Sequence, residues 1–190
     1  GKLLNQISMI QKKVKKNKNL EQIADELEES ATKIRPIYDQ VKQQPDKTAE
    51  EIYNLINNEK NRRTIQMSIK TDKAAQNHQK GYNCAQAVAC AFAEEMGIDE
   101  SIIFKMMEGH GLGMGCMEGT CGAITGAVAV IGAIKSCGDI EKPVSKAATY
   151  KLSGELVKRF QEKNQATKCK DLKGIETGKI LRSCPGCIED

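Results

Sequence analysis

An all-α fold is what this chain of 190 residues predicts, and three observations carry the prediction. Apolar residues recur at three- and four-residue steps along nearly the whole length. Pairs of alternating runs joined by tight turns, the signal of a sheet, do not stand out. Aromatic residues make up only 4%, with no Trp, so the interior must be built by helices packing through Leu, Ile, Val, Met and Ala. The expected architecture is a helical, cysteine-bearing domain preceded by a short helical N-terminal module.

The elements follow in order. Leu3, Ile7, Ile10 and Val14 mark an amphipathic helix that leaves through Lys15-Lys16-Asn17-Lys18-Asn19. Leu20, Ile23 and Leu27 make a second stripe, and Ile34, Ile37, Tyr38 and Val41 a third that contains Pro36. After Pro45, Thr48 and Glu51 form a capping box ahead of Ile52, Leu55 and Ile56. Thr64 to Lys70 fits either a strand or a helix carrying Ile65 and Ile69. Asn83 caps a helix that starts at Cys84, carries Val88, Phe92 and Met96 and stops at Gly97. Asp99 or Glu100 opens the next, with Ile102, Ile103, Met106 and Met107 expected toward the core. The stretch from Gly109 to Cys121 is too rich in glycine for a regular element. It leads into Cys121 to Ile134, an apolar helix whose small residues let another backbone pack closely. Pro143 is expected to open a long helix with Val144, Ala148, Leu152, Leu156 and Phe160, and short segments around Cys169 and Ile180 lead to Ser183-Cys184-Pro185-Gly186-Cys187. A break in composition places a charged helical module at residues 1–70 and the cysteine domain at 71–190.

Composition excludes several functions. The 39% hydrophobic and 28% charged content is that of a globular protein, not a disordered or membrane one. The longest apolar stretch falls short of the roughly 20 residues a spanning helix needs. Net charge is +4, concentrated in the first 80 residues, which is too little to demand a nucleic-acid partner. Too few aromatics are present for a base-stacking single-strand binder. With no signal-peptide pattern at the start, a reducing, cytoplasmic compartment is expected, and the eight cysteines then point to redox or metal chemistry rather than structural disulfides.

Cys84 and Cys121 each fall at a predicted helix N-terminus, where unpaired amides and the positive helix end favour a thiolate. The competing reading of each is a small buried hydrophobe. Cys184 and Cys187 form a C-x-x-C with Ser183 as its cap, suited to dithiol exchange or to half of a metal site. No βαβ pattern surrounds it, which removes a thioredoxin-like reading. Cys116 and Cys121, together with that pair, would supply four thiolates, enough for zinc or an iron–sulfur cluster. His110 precedes them as a candidate base or ligand, and the glycines around it do not match the dinucleotide fingerprint.

The succession Gly81-Tyr-Asn-Cys84-Ala-Gln-Ala-Val, Gly111-Leu-Gly-Met-Gly, Cys121-Gly-Ala-Ile-Thr-Gly126, Cys169-Lys-Asp-Leu and Cys184 resembles the C-GCAxxG-C-C family, to which a redox role is ascribed. The resemblance covers about residues 70–190. It implies a small bacterial protein with four characteristic cysteines, here Cys84, Cys121, Cys169 and Cys184, as the candidate catalytic set of a thiol–disulfide or electron-transfer oxidoreductase. Cys187, Cys116 and His110 stand as auxiliary redox or metal positions. The alternative is a metal-binding protein in which the same four cysteines hold zinc or an iron–sulfur cluster. An electron donor or acceptor is required as partner, its identity open. Residues 20–42 resemble a helix-turn-helix, which would make a DNA-binding regulator. Acidic Glu26, Glu28 and Glu29, and Pro36 within the recognition position, weigh against DNA, so packing and self-association into a homo-oligomer is expected of the N-terminal helices.

Overall fold

The computed structural model describes residues 1–190, and it contains eleven α-helices and no strand. By packing, the chain divides into Gly1–Gln66 and Met67–Asp190.

In the first unit, α1 (Lys2–Val14), α2 (Leu20–Glu26), α3 (Ala31–Gln43) and the start of α4 (Ala49–Gln79) are each launched by local chemistry. Asn19 accepts from the Gln22 amide at 2.9 Å while the Gln22 side chain accepts from the Asn19 amide at 3.0 Å. Thr48 and Glu51 do the same for α4, at 3.2 and 2.8 Å, and Ser30 accepts from the Lys33 amide for α3. The helices meet through Ile7, Ile10, Ile23, Ile34 and Ile52, all fully buried and each worth about 1.5–3 kcal/mol in apolar surface removed from water. Lys13 and Lys18 both pair with Glu26, tying the exit of α1 to α2. Pro36 lies inside α3 and does not end it, because the loss of one amide is outweighed by burial of Ile34, Ile37, Tyr38 and Val41 on one face.

The ambiguous stretch Thr64 to Lys70 is helical, inside α4. No neighbouring strand exists to pair with it, and Ile65, Met67 and Ile69 are more than half exposed.

The second unit is built around α5 (Cys84–Ala91), every residue of which is buried. Phe92 leaves helical geometry (φ −107°, ψ 16°) to pack between two apolar clusters, so the helix expected to reach Met96 breaks into α5 and α6 (Ala93–Met96), with Gly97 in the left-handed region as its stop. In α7 (Glu100–Met107) only Ile103 and Met107 face inward. Ile102 and Met106, expected in the core, are 50% and 62% exposed, because the surface of Ala85, Ala89 and Cys90 that α7 meets accepts only a narrow stripe. Glu108–His110 forms a 3₁₀ turn, and Leu112 and Gly113 then take left-handed backbone angles. α8 (Gly122–Lys135) crosses α5 and packs on α9 (Lys146–Asn164). α9 starts later than Pro143 predicts, and Val144 is 82% exposed. The preceding residues are held in a turn by Asp139, which accepts from the Glu141 and Lys142 amides, and the Ser145 hydroxyl accepts from the Cys137 amide. α10 (Cys169–Lys173) and α11 (Cys184–Glu189) are short, and the segment around Ile180 between them is not helical. No helix is long and apolar enough to cross a membrane.

Candidate functional site: cysteines gathered at helix starts

Two glycines decide how α8 meets α5. A side chain at Gly126 would lie 2.6 Å from the Ala85 carbonyl oxygen, and one at Gly122 would occupy the space of the Cys84 sulfur. The first turn of α8 therefore rests directly on the first turn of α5, backbone against backbone, and Cys121 and Cys84 arrive together. Asn83 completes the corner: its side-chain oxygen accepts from the Ala85 and Gln86 amides, both at 2.9 Å, and its amide group donates to the Glu108 carbonyl at 2.9 Å. Gly111 lies against the same Asn83 side chain, where a Cβ would collide.

The glycine-rich loop brings in the third cysteine. The Cys121 amide donates to the Thr167 carbonyl (2.8 Å), the Cys169 amide to Gly119 (3.0 Å) and the Lys170 amide to Met117 (3.0 Å), while Thr120 and Lys168 form an isolated antiparallel bridge. Gly113, at φ +58°, lies against the Cys169 Cβ, a position no larger residue could take. The fourth cysteine comes from the end of the chain: the Leu172 carbonyl accepts from the Leu181 and Arg182 amides (3.0 and 3.1 Å), which returns the chain to α10 just before Cys184. Ser183 caps α11 by accepting from the Gly186 amide, and a double hydrogen bond from Arg182 to Asp190 braces that helix.

Cys84, Cys169 and Cys184 are thus the first residues of α5, α10 and α11, and Cys121 is the N-cap of α8. Their charges act on one another and on Cys187. All are free thiols; Cys84, Cys121, Cys169 and Cys187 are buried, and Cys184 alone is partly open to solvent. Cys187 is the group that acts most strongly on the Cys121 thiol. The Cys187 thiol, helped by the Ala123 and Ile124 amides at the open end of α8, holds the Cys121 thiol down at about 7 despite its burial. Cys121 and burial in turn push Cys187 above the ordinary thiol range, so that of the two Cys187 holds its proton more tightly. Burial raises Cys84, opposed by the Leu112 amide, and pushes Cys169 up to about 11.

Other cysteines and the histidine lie apart. Cys116 is exposed and directs its thiol to the Gly113 carbonyl, Cys90 is buried against α7, and Cys137 is exposed in the turn before α9. His110 meets the cluster through its carbonyl, over Gly122; its Nδ1 is buried without a hydrogen-bond partner. No group of three or more His, Cys, Asp or Glu side chains is arranged to hold a metal ion.

One functional contact escaped the sequence reading. Cys184, with Cys169 and Cys84, raises the Lys173 ammonium above its ordinary range. Its spacing of four from Cys169, one helical turn, was the available signal.

An all-α protein that assembles thiols at helix starts is thereby defined. The chain belongs to the family described as "Putative redox-active protein (C_GCAxxG_C_C)", whose model matches residues 82–190. Here the motif reads Cys121-Gly122-Ala123, with cysteine before glycine, and the Cys84 sulfur filling the space beside residue 122 accounts for glycine at that place. No curated protein and no solved structure matches the chain.

Proposed function

We propose that the second unit is a thiol–disulfide redox protein whose electron-carrying pair is Cys121 and Cys187. The observation that carries this reading is the placing of thiols at helix starts, Cys84, Cys169 and Cys184 as first residues and Cys121 as an N-cap, with Cys187 and the amides of α8 holding the Cys121 thiol below the ordinary range. A thiolate is the attacking species in disulfide exchange, and a neighbouring thiol resolves the bond it forms. The net reaction is Cys121–S⁻ and Cys187–SH with a partner disulfide R–S–S–R giving the Cys121–Cys187 disulfide, R–S⁻ and R–SH: two electrons and one proton leave the centre. Cys184, the one partly exposed member, is the entry point. A partner disulfide admitted there is attacked by the Cys121 thiolate, which releases R–S⁻, and Cys187 then attacks the mixed disulfide as the second sulfur leaves as R–SH. Cys84 and Cys169 keep their protons and shape the centre. Free thiols of this kind suit a reducing compartment. The partner is a disulfide or dithiol, of a protein or a small molecule.

The test is equilibration of the full chain, purified without oxygen, in glutathione redox buffers, followed by alkylation and peptide mapping, with metal analysis of the same sample. A Cys121–Cys187 disulfide that forms and is reversed by reductant is expected. Stoichiometric tightly bound metal, or no disulfide in this cluster under oxidising conditions, contradicts the reading.

A further inference from the structure

Thiol exchange at Cys121 and Cys187 needs an encounter that the closed structure does not allow. The two residues are 5% and 4% exposed and lie in one apolar cluster with Cys84, Val88 and Ile124, so neither sulfur is open to a partner disulfide. Cys187 is carried by α11, which packs on α5 and is only six residues long. So short a helix is not held in place by its own backbone bonds. It is fastened at both ends instead. Before it, the Leu181 and Arg182 amides are anchored on the Leu172 carbonyl. After it, the Asp190 carboxylate accepts from Arg182 Nε at 2.9 Å and Nη2 at 2.8 Å, and pairs with Lys163 in the last turn of α9 at 2.5 Å. Gly186 makes room for this bond: a Cβ there would lie 2.5 Å from Arg182 Nε, so the guanidinium crosses α11 over its glycine. The Asp190 side chain is 2% exposed, whereas the other carboxylates in ion pairs are a quarter or more exposed.

We propose that Asp190 is a positioning residue that latches α11 over Cys121 and Cys187, and that release of its bonds to Arg182 and Lys163 admits the partner disulfide. The inference rests on the dithiol reading above and adds the gate through which that reaction is reached. When the latch opens, α11 turns about Leu181 and Arg182, whose amides keep their hold on the Leu172 carbonyl. Cys187 and Ile188 then leave the apolar cluster that also contains Cys121. The motion is local, because only Gly186, Cys187 and Ile188 of this helix are buried, and α5 and α8 keep their backbone contact. The latch is also breakable: both basic side chains reach solvent, so water competes for them. Asp190 takes no part in the bonds made or broken and sets only how often the sulfurs are reached.

The experiment labels the reduced full chain with iodoacetamide at neutral pH and reads the rate at each cysteine by mass mapping. Asp190→Asn keeps the shape of the side chain and removes its charge; it is expected to speed labelling of Cys121 and Cys187 about tenfold, the effect of losing a charge-assisted hydrogen bond. Arg182→Gln should speed it less, because Lys163 still holds Asp190, and the double variant should label no faster than Asp190→Asn alone. Cys116, already exposed, and Cys90, buried against α7, should keep the parent's rates throughout. Unchanged labelling of Cys121 and Cys187 in Asp190→Asn overturns the inference. So does equal acceleration of Cys90, which is a general loss of fold, or a double variant whose effects multiply, which is two separate packing roles. No disulfide forms in this assay, so it is independent of the dithiol test. Should the parent form no Cys121–Cys187 disulfide in glutathione buffers, the dithiol reading falls, and Asp190 as a latch on buried thiols is judged by these rates alone.

Discussion

The two units of this chain solve the helix-packing problem in opposite ways. Gly1–Gln66 has no cysteine and no glycine beyond its first residue, and its helices are held apart and together by branched side chains: Ile7, Ile10, Ile23, Ile34 and Ile52. Met67–Asp190 holds all eight cysteines and the remaining glycines, and its central contact is made by backbone, with Gly122 and Gly126 lying on Cys84 and Ala85. Side chains as spacers yield a stable support with nothing reactive inside. Removing the spacers lets helix starts approach, and the polar groups exposed at those starts are what a thiolate requires. The proposed redox centre is thus a consequence of how the second unit packs.

That contrast can be broken most forcefully by changing one residue in each unit. Taking carbon away should damage the first: Ile34→Ala leaves a cavity at a fully buried site and is expected to cost about 2–5 kcal/mol. Adding carbon should damage the second: Gly126→Val meets the Ala85 carbonyl, which cannot move without α5, and about 3 kcal/mol or more is expected. Hydrogen exchange resolved by mass spectrometry checks both, with protection lost in α1–α3 for the first variant and in α5 and α8 for the second. A tolerated valine at position 126 would remove the close-approach argument.

Alkaline pH gives the next largest effect and belongs to the cysteine unit. Burial pushes Cys90 and Cys169 from the usual thiol value of 9.0 up to about 11. The unfolded chain releases these protons near 9 while the folded one retains them, so stability is present below that pH and is lost as pH climbs from 9 toward 11, by roughly 2–3 kcal/mol per thiol. Cys121, lowered to about 7, contributes with the opposite sign: its stabilisation is complete above 9 and is lost as pH falls from 9 through 7. Urea midpoints of the reduced protein, read by exchange in α5 and α10, should therefore fall between pH 9 and 11, and Cys90→Ala should flatten the decline. A midpoint independent of pH in that window would contradict the burial of these thiols as charge-excluding.

A smaller and sharper comparison uses the two asparagine caps. Asn19 is exposed and caps α2 alone, so Asn19→Ala should cost at most about 1 kcal/mol. Asn83 is half-buried, accepts from two amides and also anchors the Glu108 carbonyl, so Asn83→Ala should cost about 2 kcal/mol. Equal costs, measured by denaturation of the two variants, would mean that the corner beside Cys84 is no more constrained than a surface helix end.

Legibility in sequence followed the same division. In the first unit the three- and four-residue steps of Ile and Leu state the buried faces directly, and Thr48 with Glu51 states a helix start. In the second unit Asn83, Cys84 and Cys121 were readable as helix starts because capping is local. The neighbourhood of Cys187 and Cys121 was not, since it depends on hydrogen bonds accepted by the Thr167, Gly119 and Leu172 carbonyls from residues well separated along the chain. Ile102 and Met106 misled for a related reason: apolarity signals burial only where a neighbouring surface is wide enough to cover it, and the Ala-rich face of α5 is narrow. Lys173 was missed because its one local signal, a spacing of four from Cys169, says nothing of Cys184.

The central claim, that helix-start amides and Cys187 together hold one thiolate at Cys121, is tested most directly by titrating thiolate absorbance in the ultraviolet. Cys137 must first be replaced by serine, because the Ser145 hydroxyl and nearby amides hold that exposed thiol at about 7 as well. In the reduced Cys137→Ser protein one thiolate per chain should appear with a midpoint near 7, and a further Cys121→Ser change should abolish it. Absence of any thiolate below the ordinary thiol range, or a thiolate that persists after Cys121→Ser, would contradict the account.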